Sequence, residues 1–300
     1  MERRIMKQGP STLVVSLPSK WTKKHNVKKG DAIHVQERGK ELLMALEPKP
    51  SERRITLNVS GTLPMTHRIA GALYKAGFDE MKLLYSTSKE AEAILDTVRV
   101  MTGHTVIKHE NNVITIRRIA RTDTESFPVL YRKCFYILQD MAQETILALE
   151  RQDKELMRSV IVKDRTMAIF ADYTRRMLLS GEAQEHAQER YYTVEQLEKI
   201  ADQLKYLCRS YESASQAPSG NILTMLKRII SFLERFQNLF YDFSLEKLSD
   251  LGKEHERLQK NLEEAFQASA KKDMPALMHG GNILSLTFDL NGPLLTMQLR

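Results

Sequence analysis

The chain has 300 residues, 42% of them hydrophobic and 28% charged, with a formal net charge of +7 at neutral pH. That length suits two or three domains, and the apolar content is ordinary for a globular protein. No apolar run reaches the roughly 18 residues of a membrane span, and Met1-Glu2-Arg3-Arg4 leads into no signal-peptide core, so a cytoplasmic chain without membrane insertion is expected.

At the N-terminus, Leu13, Val15 and Leu17 alternate with Thr12, Val14 and Ser16, the period-two pattern of a half-buried strand. Pro18 stops that strand and suits the first position of a helix about two turns long. Gly30, in Lys28-Lys29-Gly30-Asp31, can supply a positive φ for a tight turn, after which residues 32–37 alternate as a second strand. Trp21 could stack on a base beside its lysine neighbours, but it stands where an apolar anchor is needed and is assigned to the core. A segment this short has too little apolar surface for a core of its own.

Charge is concentrated in the same segment. Residues 1–50 carry eleven Lys/Arg against five Asp/Glu, which is +6 of the total +7. A basic excess confined to one small module is the footprint of a polyanion-binding surface, although lysines that merely solvate a surface give the same composition.

Lys49-Pro50-Ser51 reads as a linker, because Pro48 and Pro50 interrupt strand pairing. Residues 50–121 then alternate strands and helices. Ile55, Leu57 and Val59 mark a strand, a helix from Pro64 stops at Gly77, and residues 81–85 form another strand. Ser86-Thr87-Ser88 offers an N-cap to a helix carrying Ala91, Ile94 and Val98, and two strands flank Asn111-Asn112 as a hairpin. This is a small α/β domain of βαβαββ order. It has no glycine-rich phosphate loop and no paired acids, so an interaction or spacer role is expected.

From about Asp123 the pattern is helical, in six segments at 127–151, 154–179, 193–213, 221–248, 250–271 and 275–299, with breaks at Gly181, at Pro218-Ser219-Gly220 and at Asp273-Met274-Pro275. Short connections make neighbouring helices antiparallel, and a pair of three-helix bundles over residues 122–300 is the economical arrangement. Cys134 and Cys208 fall in apolar helical patterns with no C-x-x-C partner and read as packed, reduced thiols. The eight histidines are scattered, with His104 and His109 in a strand region, and neither G-x-S-x-G nor H-E-x-x-H occurs. No catalytic residue is assigned, and an enzyme is not expected.

The order strand, short helix, turn, strand, with S-T-L-V-V-S-L-P, Trp21 and V-K-K-G-D at these offsets, resembles the swapped-hairpin DNA-binding domain of the AbrB, SpoVT and MazE families over roughly the first 47 residues. The resemblance implies a homodimer whose strands interlock, with residues 1–49 as its DNA-binding and dimerisation domain. It implies duplex DNA contact through Arg3, Arg4, Lys7, Lys20, Lys23 and Lys24, of which Lys7 and Lys23 match basic positions of the pattern. Thr22 departs from it, standing where a second arginine is usual. Only Arg3 and Arg4 in this set have the forked donors that base reading requires.

Behind such a module, six long helices with Leu197-Glu198-Lys199-Ile200-Ala201-Asp202, which looks like an E-x-x-x-D signature, resemble the archaeal PhoU-like regulators. That family implies acids at i and i+4 on facing helices holding divalent metal. Here Glu198 and Asp202 keep the spacing and Asp164 could face them, but Val160 and Ala168 stand where partner acids would, and residues 282–299 hold the single acid Asp289. The site is incomplete, salt-bridged helix residues account for the same acids, and neither metal nor another cofactor is predicted. The combined resemblance implies a transcriptional regulator of phosphate uptake with the helical half as sensor or partner-binding domain. The alternative is an adaptor that regulates a phosphate transporter or kinase by protein contact, for example a phosphate-transport ATPase, while its N-terminal module only dimerises. An antitoxin is disfavoured by the long ordered tail.

Overall fold

A computed structural model describes residues 2–38, 41–46, 52–120, 127–180, 185–214 and 216–299. The expected linker at Lys49-Pro50-Ser51, the start of the helical half near Asp123 and the break at Gly181 lie outside the described residues. The chain divides into two compact units, residues 1–52 and 53–300.

In the first unit β1 (Met6–Gln8) turns at Gly9, φ +76°, to pair antiparallel with β2 (Thr12–Val14), Met6 opposite Val14. The strand expected to run on to Leu17 therefore stops at Val14. Helix α1 (Ser19–Lys24) follows, and Pro18 is its N-cap at φ −64° and ψ 124° rather than its first helical residue. The next turn is fixed by Asp31, whose Oδ2 accepts from the Lys28 N–H at 2.7 Å, with Gly30 at φ +98°. β3 (His34–Arg38) and β4 (Glu41–Ala45) pair antiparallel, Val35 opposite Met44. Among the described side chains of this unit none is buried. Trp21, expected in the core, is half-buried with its ring 5.4 Å from that of His25, because two thin hairpins and one short helix provide no second layer to cover it.

The second unit opens with a four-stranded sheet. Its elements are β5 (Arg54–Asn58), α2 (Thr66–Lys75), β6 (Glu80–Leu84), α3 (Ser88–Val98), β7 (His104–Glu110) and β8 (Val113–Arg118). The strand order is β5-β6-β8-β7, parallel only between β5 and β6. Local chemistry fixes the connections. Gly77 ends the α2 segment at φ +90°, and Asn111 and Asn112 both take positive φ in the β7–β8 turn, as a two-residue hairpin requires. Thr87 and Glu90 cap α3 reciprocally. Met81, Leu83, Ile114 and Ile116 of the sheet join Ala70, Tyr74, Ile94 and Val98 of the helices in the core.

Seven helices follow: α4 (Phe127–Arg151), α5 (Lys154–Leu179), α6 (Ala187–Glu212), α7 (Gly220–Tyr241), α8 (Leu245–Ala268), α9 (Met274–Asp289) and α10 (Asn291–Gln298). α4, α5 and α6 pack on one another, as do α7, α8 and α9, and the α6–α9 and α4–α7 contacts join the two groups. α2 lies against α5, which ties the α/β layer to the helices.

Three boundaries differ from those expected. α6 begins at Ala187 rather than at residue 193, its first turn held by the Arg190 guanidinium over the Phe127 ring. α7 ends at Tyr241, because Ser244 caps α8 by accepting from the Lys247 N–H at 3.2 Å. The last expected helix is divided at Leu290, since Pro293 has no N–H to offer the Asp289 carbonyl. Cys134 and Cys208 are both buried and free, and burial pushes their thiols up to about 12 and about 11. No helix among the described residues is long and apolar enough to cross a membrane.

Candidate functional site

The candidate residues fall into two sets, one in each unit. In the first, Arg3 and Arg4 precede β1, Lys7 lies on β1 opposite Leu13, and Lys20, Lys23 and Lys24 belong to α1. All six are exposed, and among the described residues none makes an ion pair. The spacing of the three lysines, i, i+3 and i+4, puts them on one side of α1. Lys23 and Lys24 also occupy its last turn, where a positive charge suits the helix dipole. In the same unit Ile5, Leu13, Val35 and Leu42 stay exposed, Leu13 at 67%.

In the second unit Asp164, Glu198 and Asp202 do not form one site. Lys205 reaches between α5 and α6, its Nζ donating to Asp164 Oδ2 at 2.8 Å and to Asp202. Glu198 turns instead to Arg175, whose guanidinium is 3% exposed and also donates to Asp172 at 2.7 Å and to Glu195. The acids thus gather around two cations of the chain itself. Among the described residues no group of three or more His, Cys, Asp or Glu side chains is arranged to hold a metal ion. The sequence signal that could have located these partners is local, since Asp172–Arg175 and Asp202–Lys205 each have i, i+3 spacing.

Three carboxylates share Arg175, and two lysines stand at the edge of the cluster, Lys75 at 3.1 Å from Asp172 and Lys199 at 3.7 Å from Glu195. Burial, with the charges of Asp172 and Glu195 added, outweighs Arg175 and lifts the Glu198 carboxyl to about 7. Burial raises Asp164 as well, against the pull of Lys205. Burial alone would lower Lys205, but its bonds to Asp164 and Asp202 outweigh that and hold it above the ordinary lysine value.

The next residue along α5 faces the other way. Arg176, 1% exposed, donates to the carbonyls of Tyr74 at 2.6 Å and Phe78 at 2.9 Å and to Asp79 Oδ1 at 3.2 Å. Adjacent arginines therefore join α5 to α6 on one side and to the α/β layer on the other. Nothing in the sequence distinguished them from ordinary surface arginines. His104, against the Tyr74 ring at 5.1 Å, is pushed down to about 4, first by burial and then by Arg176.

The α/β layer contains one anion-binding nook, already filled. The Glu90 carboxylate, 1% exposed, accepts from the Ser86 and Thr87 N–H groups, each at 2.9 Å, and from the Gly61 N–H at 2.5 Å. These bonds, that of Ser86 foremost, hold its pKa down to about 2. The backbone donors that could meet a phosphate are taken.

No protein-family model matches the chain, and no curated protein matches it. Among solved structures the chain is similar to the crystal structure of the phosphate transport system regulatory protein PhoU from Streptococcus pneumoniae, at 13% identity, over 58% of this chain and 94% of that one, with a TM-score of 0.49. A likeness of that degree leaves the function to be reasoned from the residues themselves.

Proposed function

We propose that the protein is a non-catalytic, DNA-binding transcriptional regulator that works as a homodimer. Its first unit grips duplex DNA, and its helical half senses a signal or binds a partner. One observation supports this most directly: in a unit of about fifty residues the apolar side chains Ile5, Leu13, Val35 and Leu42 are uncovered, while six exposed basic residues of the same unit have no ion-pair partner among the described residues. A second copy interlocking its strands would cover the first group and leave the second free. Lysines and arginines on a phosphate backbone release counterions, which gives affinity that falls with salt. The connection to phosphate uptake rests on the sequence resemblance alone.

The experiment is retention of duplex DNA by the full chain across a salt series, with the triple change Lys20→Ala, Lys23→Ala, Lys24→Ala. The triple variant should bind more weakly, and its slope of log K against log salt should flatten by about 0.9 for each phosphate it no longer neutralises. Absence of binding at low salt, or an unchanged slope, rejects the proposal. What would then remain is the adaptor, a chain that dimerises through its first unit and acts on a transporter or kinase by protein contact.

A further inference from the structure

At one end of the helical bundle α4, α6, α7 and α10 border a cavity of about 330 Å³, within the range of small-ligand sites. Its wall is aromatic. The Phe127 and Tyr131 rings stack at 5.7 Å, and Phe240 lies 6.0 Å from Tyr131. Two guanidiniums border the same space: Arg190 lies over Phe127 at 5.6 Å, and Arg132 over the exposed Tyr241, also at 5.6 Å. A guanidinium beside a ring face still has N–H donors to offer an anion. Arg132 meets no carboxylate among the described residues, and Arg190 has only the exposed Glu185, 3.3 Å away. Such an exposed pair is weak and easily exchanged.

Two further groups lack partners among the described residues. α6 is 26 residues long and begins beside the cavity after His186, at φ 49°, with no side chain capping its first amides. α3, α5 and α8 close their starts with Thr87, Asp153 and Ser244, whereas α2, α7 and α9 are open like α6. An uncapped helix start flanked by arginine favours an anion. The second group is the Tyr131 hydroxyl, in a side chain 7% exposed, which has no hydrogen-bond partner. Neighbouring Thr193 gives its own hydroxyl proton to the Glu189 carbonyl at 2.9 Å, and its oxygen is the acceptor nearest to that of Tyr131.

From the rings, the two guanidiniums and the open helix start we infer that this cavity binds a small organic phosphate carrying a flat ring. The ring lies against Phe127, Tyr131 and Phe240, and the phosphate meets Arg132, Arg190 and the first amides of α6. The site is independent of whether the first unit binds DNA.

Calorimetric titration of the full chain with AMP and phenyl phosphate, and with adenosine and inorganic phosphate separately, tests the inference without reference to DNA. Both ring-bearing phosphates should bind saturably, and each separate piece about tenfold more weakly or worse. The ratio of AMP to phenyl phosphate distinguishes a nucleotide from a simpler aryl phosphate. Arg132→Ala and Arg190→Ala should each cost about tenfold or more, as loss of a charge-assisted bond does. The Arg132 side chain lies at the exposed rim, so its variant should fold even if the Arg190 variant does not. The inference fails if neither ring-bearing phosphate binds at millimolar concentration, if inorganic phosphate alone binds as tightly, or if Arg132→Ala leaves affinity unchanged.

Discussion

Residues 53–300 and residues 1–52 meet the same demand, removal of apolar side chains from water, with opposite results in a single chain. The larger unit encloses Leu83, Ile94, Phe135 and Phe236 at 2% exposure or less, and its buried arginines Arg175 and Arg176 are both paired with acids. The smaller unit has regular hairpins and a helix with no described side chain buried. The difference is one of scale, since core volume grows faster than surface and a few dozen residues cannot make a second layer. Secondary structure alone is therefore no sign of a finished fold. The smaller unit leaves its described apolar side chains to water, whereas the larger covers its own.

The comparison is most severely challenged by Arg176→Met. The larger unit should lose about 1.5–3 kcal/mol, because Asp79 and the Tyr74 and Phe78 carbonyls each lose a buried donor, although Arg118 and the Arg53 N–H remain on Asp79. Denaturant unfolding would detect this as a lower midpoint at constant m-value, and an unaffected midpoint would mean that Arg176 is not the bolt between α5 and the sheet. Next comes pH. Glu198 has a folded pKa of about 7, above its ordinary 4.5, so its contribution is complete below about 4.5 and is lost as pH rises through about 7. Glu198→Gln should flatten the stability profile over that window, and an identical profile would mean that burial of the Glu198 carboxyl has no bearing on stability.

Smaller effects sharpen the contrast. If the first unit is completed by a second copy, each tenfold dilution should lower its stability by about 1.4 kcal/mol and leave that of the larger unit unaltered. Melting followed by Trp21 fluorescence, the protein's single tryptophan, reads the first unit alone. Thr87→Ala removes half of a capping box and should cost about 1 kcal/mol. The triple lysine change on α1 should alter stability by no more than about 0.5 kcal/mol while affecting DNA retention, because those side chains are exposed and make no ion pair among the described residues.

Local features are legible in the sequence where a few neighbouring residues decide them. Thr87 with Glu90, the paired asparagines of the β7–β8 turn and the stop at Gly77 all act within one turn of chain. The α7–α8 break is hidden because the apolar pattern continues past Asp242, and the choice of Ser244 as cap depends on where the two helices pack. The acids around Arg175 are hard to group for a similar reason. The i, i+4 spacing of Glu198 and Asp202 is real, but the cation each one meets reaches it from elsewhere in the fold or along the helix, so spacing cannot say whether a carboxylate faces a metal or a guanidinium.

What the sequence by itself determined was the order of elements from β5 to α8 and the confinement of positive charge to the first fifty residues, but not the strands β1 and β4 or the division of the last helix, since periodicity, capping and composition are short-range properties. Only the tertiary structure decided which charges are neutralised. It brought Arg176 to Tyr74, 102 positions away, put Lys205 between Asp164 and Asp202, and opened a cavity among four helices. Those outcomes depend on which distant side chains share a low-dielectric interior, and interaction energies there are set by proximity in space and by burial rather than by separation along the chain.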